Sequence, residues 1–275
     1  MARLDVMESV RSAINGWRAA MQACAGSLAL FGLATAANEI ASATNNSTGV
    51  AVTFVIVLVM GIMTSAALYR HALGPFHRSE RSFALGPYGL QWAKPELRLM
   101  GALGLQAFIV LLGVLALIFV LMLISVGAVA AGMGVGDKAS AEALLASPGG
   151  KVMIGVILAF CGLVVWASLR LGFSYAATID RSKVQVFATW GMTDGIVLPL
   201  LGGLLLISLP TILLLGGTGV IMGSAQGTAE QGIDMPGAIT VGLLSGIVAA
   251  VQAPLTTGFF AAAYRSVGAT RAPAA

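Results

Sequence analysis

Residues 99–133 read LMGALGLQAFIVLLGVLALIFVLMLISVGAVAAGM, 35 positions without a charged side chain. As a helix this run is roughly 50 Å long at about 1.5 Å per residue, against roughly 30 Å of hydrocarbon in a bilayer. It is apolar on every face, so its natural solvent is lipid. Backbone groups in lipid must bond within their own segment, which makes the run a helix. No cluster of polar turn residues interrupts it, and it reads as one tilted helix whose end projects beyond the bilayer. Pro95 suits a first helical turn and sets the start just after Lys94.

Five further apolar runs flank it: Ala19–Ala37, Val50–Leu68, Val152–Ala167, Ile196–Met222 and Ala238–Ala263. The expected architecture is an all-α membrane protein, a single domain over residues 1–275 with six transmembrane helices. Composition agrees. Of 275 residues 58% are hydrophobic and only 9% charged, with a mean hydropathy of +0.93. A soluble domain carries about 25% charged residues, so no water-soluble surface can be built from this inventory.

Cationic residues alternate across the runs. On one side fall Arg3, Arg11 and Arg18; Arg70, Arg78, Arg81, Lys94 and Arg98; Arg170, Arg181 and Lys183; and Arg265 with Arg271. The other side holds only Lys138 and Lys151. Cytoplasmic loops collect Lys and Arg, so both termini are expected in the cytoplasm. The same placement explains the net charge of +4 without a nucleic-acid partner. A cleaved signal peptide ending near Ala41-Ser42-Ala43 is the competing account of the first run, but Asp5 and Glu8 ahead of the apolar core argue against it.

Residues 1–18 carry their own period. Leu4, Met7, Val10, Ile14, Trp17 and Met21 recur at spacings of three and four, an amphipathic helix that either lies on the membrane surface or continues into the first span. Cys24 and Cys161 sit in apolar runs and read as buried small hydrophobes.

The even-numbered runs end alike, Ala66-Ala67-Leu68-Tyr69-Arg70, Trp166-Ala167-Ser168-Leu169-Arg170 and Ala261-Ala262-Ala263-Tyr264-Arg265, and Trp17, Trp92 and Trp190 precede the odd-numbered ones. This pattern suggests three parallel helical hairpins. Interfacial anchoring by aromatic and arginine side chains gives the same marks without duplication.

Residues 170–195 read RLGFSYAATIDRSKVQVFATWGMTDG. An arginine ending one span, a short amphipathic stretch, then Thr-Trp-x-x-Thr-x-Gly opening the next resembles a family of poorly characterised bacterial inner-membrane proteins. That family includes YciC-like proteins and the membrane domain of glycerophosphodiester phosphodiesterases. The matching positions are Arg170, Thr189, Trp190, Thr193 and Gly195. Thr189 replaces the family's usual Ser, and Ala176-Ala177 stand where a Pro is frequent. The resemblance implies a bacterial inner (cytoplasmic) membrane location and a role in envelope or membrane homeostasis; phosphodiesterase activity does not carry over. On the residues alone, Val184, Phe187 and Trp190 share one face of an interfacial elbow, and Thr193 or Asp194 suits the cap of the fifth span.

Catalytic chemistry finds little support. His71 and His77 have only Glu80 nearby as a further ligand, short of a metal site. Gly149-Gly150-Lys151 fails as a phosphate loop, with Leu145 in place of the first glycine and Val152 in place of Ser or Thr. The carboxylates lie in loops and termini, which disfavours a proton-coupled pump. No enzyme and no cofactor is expected. Intramembrane polarity concentrates in the last hairpin, where Ser208, Pro210 and Thr211 face Gln252, Pro254, Thr256 and Thr257 at similar depth. Two proline kinks stabilised by local polar bonds are the plainer account; a small polar pocket is the functional one. Gly219, Gly223 and Gly227, with Gly242 and Gly246, recur every four residues as helix-packing positions. The expected function is a non-enzymatic membrane protein acting through lipid contacts, or through a protein partner or second copy. The alternative is a small permease or channel for a neutral or amphipathic molecule.

Overall fold

The structure, a computed structural model, describes residues 4–74, 85–130, 148–225 and 235–271. Every regular element among them is helical: α1 (Val6–Ala23), α2 (Ala25–Ala43), α3 (Ser47–Leu73), α4 (Lys94–Ala130), α5 (Pro148–Leu171), the short α6 (Ser174–Asp180), α7 (Val197–Ala225) and α8 (Met235–Arg271). Short 3-10 turns lie at Pro87–Gly89, Phe187–Thr189 and Gly191–Thr193. Five helices, α3, α4, α5, α7 and α8, are long and apolar enough to cross a membrane, and the pair α1–α2 makes a sixth if it counts as one bent span. The chain is a multi-pass helical membrane protein. Arg3, His77, Arg78, Glu80, Arg81, Lys138, Leu145, Gly227 and the end of the third run at residues 131–133 lie outside the described residues, as does the packing of Gly219 and Gly223.

The first span departs from expectation. Instead of one helix through Ala19–Ala37, α1 and α2 meet at 91°. Cys24, with φ −113° and ψ 21°, ends one helix and begins the next. The break is held from outside. Gly89 sits on the bend, and a Cβ there would lie 3.0 Å from Ser27 Oγ and 3.2 Å from Cys24 Cα. Gly89 also takes φ +74°, where L side chains are strained. Since Ala23, Ala25 and Gly26 are small and uncharged, hydropathy runs smoothly through the bend and leaves no mark of it.

α1 starts with Asp5, whose carboxylate accepts the Glu8 N–H at 2.9 Å. Its inward side differs from the apolar stripe expected. Ser9, Ala13 and Ala20 are buried with Leu4, while Met7 and Ile14 are exposed. Small residues win the inner face because α1 lies close against α8: a Cβ on Gly258 would stand 3.3 Å from Ala13 Cα. Trp17 Nε1 donates to the Val251 carbonyl at 3.2 Å. The Asn46 side chain caps α3 by accepting the Gly49 N–H at 2.9 Å, and Asn45 turns the chain at φ 54°.

α2 crosses α8 at backbone contact. A Cβ on Gly246 would stand 2.3 Å from Gly32 O, and one on Gly242 2.7 Å from Ala36 O. Gly32 and Ala36 on one helix and Gly242 and Gly246 on the other form the four-residue spacing of small groups that lets membrane helices approach. Buried side chains concentrate toward the end rich in arginine, where Leu73, Leu99, Phe173, Leu200, Phe259 and Val267 belong to one cluster. Away from that end α4 and α5 expose Phe108, Leu111, Ile118, Phe119, Leu158 and Leu163, as helices with lipid for solvent do. Cys24 is buried as expected, but Cys161 is exposed on α5 because that helix turns this face outward.

Candidate functional site

The polar residues of the last hairpin meet. Gln252, near the middle of α8, receives a hydrogen bond from Thr211 on its Oε1 at 2.7 Å. Its Nε2 donates to Ser208 Oγ at 3.1 Å and to Thr256 Oγ1 at 3.2 Å. One acceptor and two donors are thereby matched. Pro210 lies exposed inside α7 and Pro254 buried inside α8. Thr257 is buried one residue beyond Thr256 and makes no hydrogen bond to the Gln252 group.

A second polar cluster joins α4 to α6. Gln106 of α4 donates through Nε2 to Ser174 Oγ at 2.6 Å and accepts from the Tyr175 hydroxyl at 2.7 Å. The Tyr175 ring meets Tyr69 edge-on, with centroids 6.4 Å apart. Gln106 and Gln252 both line one cleft of about 880 Å³. Its walls come from α2 (Phe31), α3 (Ser65, Tyr69), α4, α5, α6 (Tyr175), α7 (Leu204) and α8. It forms because α4 packs on α3 and α6, and α5 packs on α4 and α7, while neither packs extensively on α8, which leaves space between them. Ligand cavities span roughly 300–1,000 Å³ and are mostly apolar with a few placed polar groups, which describes this one. Among the described residues no Asp, Glu, Lys, Arg or His lines it.

The five positions that carried the sequence resemblance, Arg170, Thr189, Trp190, Thr193 and Gly195, lie elsewhere. Arg170 Nη1 donates to Trp190 O at 3.2 Å and Nη2 to Asp194 Oδ1 at 3.0 Å. The guanidinium carbon lies 5.1 Å from the Trp166 ring centroid and 5.5 Å from that of Trp190. The two indoles meet edge-on at 5.3 Å. The Thr193 hydroxyl reaches Trp190 O at 3.0 Å and Arg170 O at 3.3 Å, and the Thr189 hydroxyl donates to Val186 O at 2.9 Å. Gly195 turns the chain at φ +77°. The expected cap is thus corrected: the Thr193 hydroxyl donates to the Trp190 and Arg170 carbonyls, and the Asp194 carboxylate accepts from the Arg170 guanidinium. The stretch 184–190 is likewise irregular with one 3-10 turn, and Val186 rather than Phe187 faces inward. Cation–π stacking is worth about 1–2 kcal/mol when desolvated, and Lys lacks the planar fork that meets two acceptors. Arg170→Lys is therefore expected to lower stability by about 1–2 kcal/mol, read by denaturant titration in detergent; an unchanged midpoint would show the sandwich to be ornamental.

Compared with family models, curated proteins and solved structures, the chain gives no match.

One buried polar pair escaped the sequence reading. Arg70 at the end of α3 and Glu96 at the start of α4 form an ion pair with side chains 2% and 0% exposed. Glu96 also accepts the Ala93 N–H through Oε2 at 2.8 Å. Glu96 counts as a loop carboxylate in sequence, beside a proline and a lysine; only the return of α4 against α3 buries it. A second arginine–carboxylate pair links Arg170 of α5 to Asp194 ahead of α7, but there Asp194 is exposed. Arg265 on α8 donates to Ala72 O at 3.4 Å. His71 lies one residue past Arg70, and among the described residues no group of three His, Cys, Asp or Glu is placed to hold a metal.

Proposed function

We propose that the protein is a non-enzymatic bacterial inner-membrane protein that binds one lipid-like amphipathic molecule in the cleft between α4, α5 and α8. The observation that carries the reading is the cleft itself: a mostly apolar cavity of about 880 Å³ lined by two hydrogen-bonded glutamines. An apolar body fits the walls, and a polar end fits the glutamine level. The basic end then faces the cytoplasm, following the placement of Lys and Arg. The likeness of residues 170–195 to the inner-membrane family supports a role in envelope homeostasis. A permease for such a molecule is the second reading, favoured by the position of Gln252 near the middle of α8.

Filling the cleft tests the proposal. Ala249 and Ala167 line it from α8 and α5, whereas Ala159 on α5 is exposed away from it. Crowding a packed site costs about 1–3 kcal/mol, so Ala249→Phe and Ala167→Phe should each reduce copurified lipid in native mass spectra by roughly tenfold. Ala159→Phe should retain it. Equal retention in all three would place the lipid elsewhere and end the proposal.

A further inference from the structure

We infer that the cleft selects an electroneutral lipid, one whose polar end is a hydroxyl or carbonyl oxygen rather than a phosphate; this rests on the binding reading above. The argument starts from the walls. The polar side chains that line the cleft are amides and hydroxyls: Ser65, Tyr69, Gln106, Ser168, Tyr175, Gln252, Thr256 and Thr257. A phosphate taken into a low-dielectric site needs a cation or several donors to offset its lost hydration. Arg70, the cation adjacent to Tyr69, is already bound to Glu96.

The second observation is what the polar groups leave unused. Gln106 and Gln252 have their amides matched within the protein. Tyr69 is different: it is only 4% exposed, lines the cleft, and its hydroxyl makes no hydrogen bond among the described residues. Its ring is fixed edge-on against Tyr175, so the hydroxyl is held in place rather than free to find a partner. Thr257, 8% exposed on the facing helix, also lines the cleft without a hydrogen bond among the described residues. A hydroxyl that opens only onto an apolar cleft lacks the hydrogen bonds water would give it, and a ligand oxygen supplies them. Each of these hydroxyls can donate to a carbonyl or exchange bonds with an alcohol, and neither supplies charge. A diacylglycerol-like or prenol-like molecule meets all of these terms.

The experiment uses the full chain in phosphatidylcholine nanodiscs containing a diacylglycerol or a phosphatidic acid probe. Both probes carry the same diazirine-bearing acyl chains at equal mole fraction, and cross-linked peptides locate the label. The expected result is labelling of α4, α5 and α8 around the cleft, at least about fivefold stronger for the neutral probe. Tyr69→Phe should cut that labelling by about fivefold, the worth of one neutral hydrogen bond. Thr257→Val, which keeps shape, provides the same reading if Tyr69→Phe fails to fold. Equal or stronger labelling by phosphatidic acid, or no effect of either variant, overturns the neutral-lipid assignment while the cleft stays a lipid site. If neither probe labels the cleft, the binding reading itself falls.

Discussion

Glu96→Ala is expected to lower the unfolding free energy by about 3–5 kcal/mol, the usual cost of stripping one partner from a buried ion pair. Three features set that size. Both side chains are removed from solvent, 2% and 0% exposed. The guanidinium already has a buried Nε without a hydrogen bond, so losing the carboxylate leaves little to compensate the charge. Glu96 Oε2 also holds the Ala93 N–H at the entry to α4, and that donor is orphaned as well. Arg70→Met should cost a similar amount for the mirror-image reason, an uncompensated carboxylate. The double variant Arg70→Met with Glu96→Met should recover most of the loss, because two well-packed apolar side chains carry no desolvation cost. Denaturant titrations of the three variants in detergent give the coupling directly. Single losses below about 1 kcal/mol would mean that water reaches the pair, as it does for exposed ion pairs.

Gly246→Leu should disrupt the bundle outright, and Gly246→Ala should destabilise it by about 1–3 kcal/mol. The new Cβ falls 2.3 Å from Gly32 O and 3.1 Å from Ala36 Cβ. The closest of these is backbone, which cannot swing aside like the tip of a side chain. α2 and α8 must therefore separate, and the seam of small residues loses its dispersion contacts along its whole length. Gly162→Ala makes the control: nothing lies within 4 Å of its added Cβ, and a helical Gly→Ala change alone is worth up to about 1 kcal/mol in favour. A thermal melt followed by size exclusion should show Gly162→Ala intact and Gly246→Leu aggregated. Equal behaviour would mean that the α2–α8 crossing is looser than its geometry.

What could be read in sequence was set by local chemistry. Uncharged runs of lipid-compatible length marked the helices, and the spacing of Gly242 and Gly246 marked one face of a close crossing. Ser208 and Thr211 were matched with Gln252 because antiparallel neighbours put equal depths side by side. The rest depends on contacts between distant residues. Gln106 stands isolated in a 35-residue apolar run, and only the fold sets Ser174 and Tyr175 against it. Tyr69 reads as an interfacial anchor at a span end; its place on a cleft wall comes from the space left between α4, α5 and α8. The bend at Cys24 has no local cause, since Gly89 reaches it from the distant connection between α3 and α4. Glu96 was misread for the same reason, its burial being a property of two helices together.

The crossing of α2 with α8 also bears on biogenesis. α1 and α2 leave the ribosome before α8, yet for each of them the most extensive contact is with α8. Until α8 has been threaded into the bilayer, the groove at Gly32 and Ala36 has nothing to fill it and the surface of α1 around Ala13 stays open. Closure of this seam is therefore a post-insertion event that waits for α8, and a nascent polypeptide halted before Met235 would hold its spans in the lipid with the seam still unzipped.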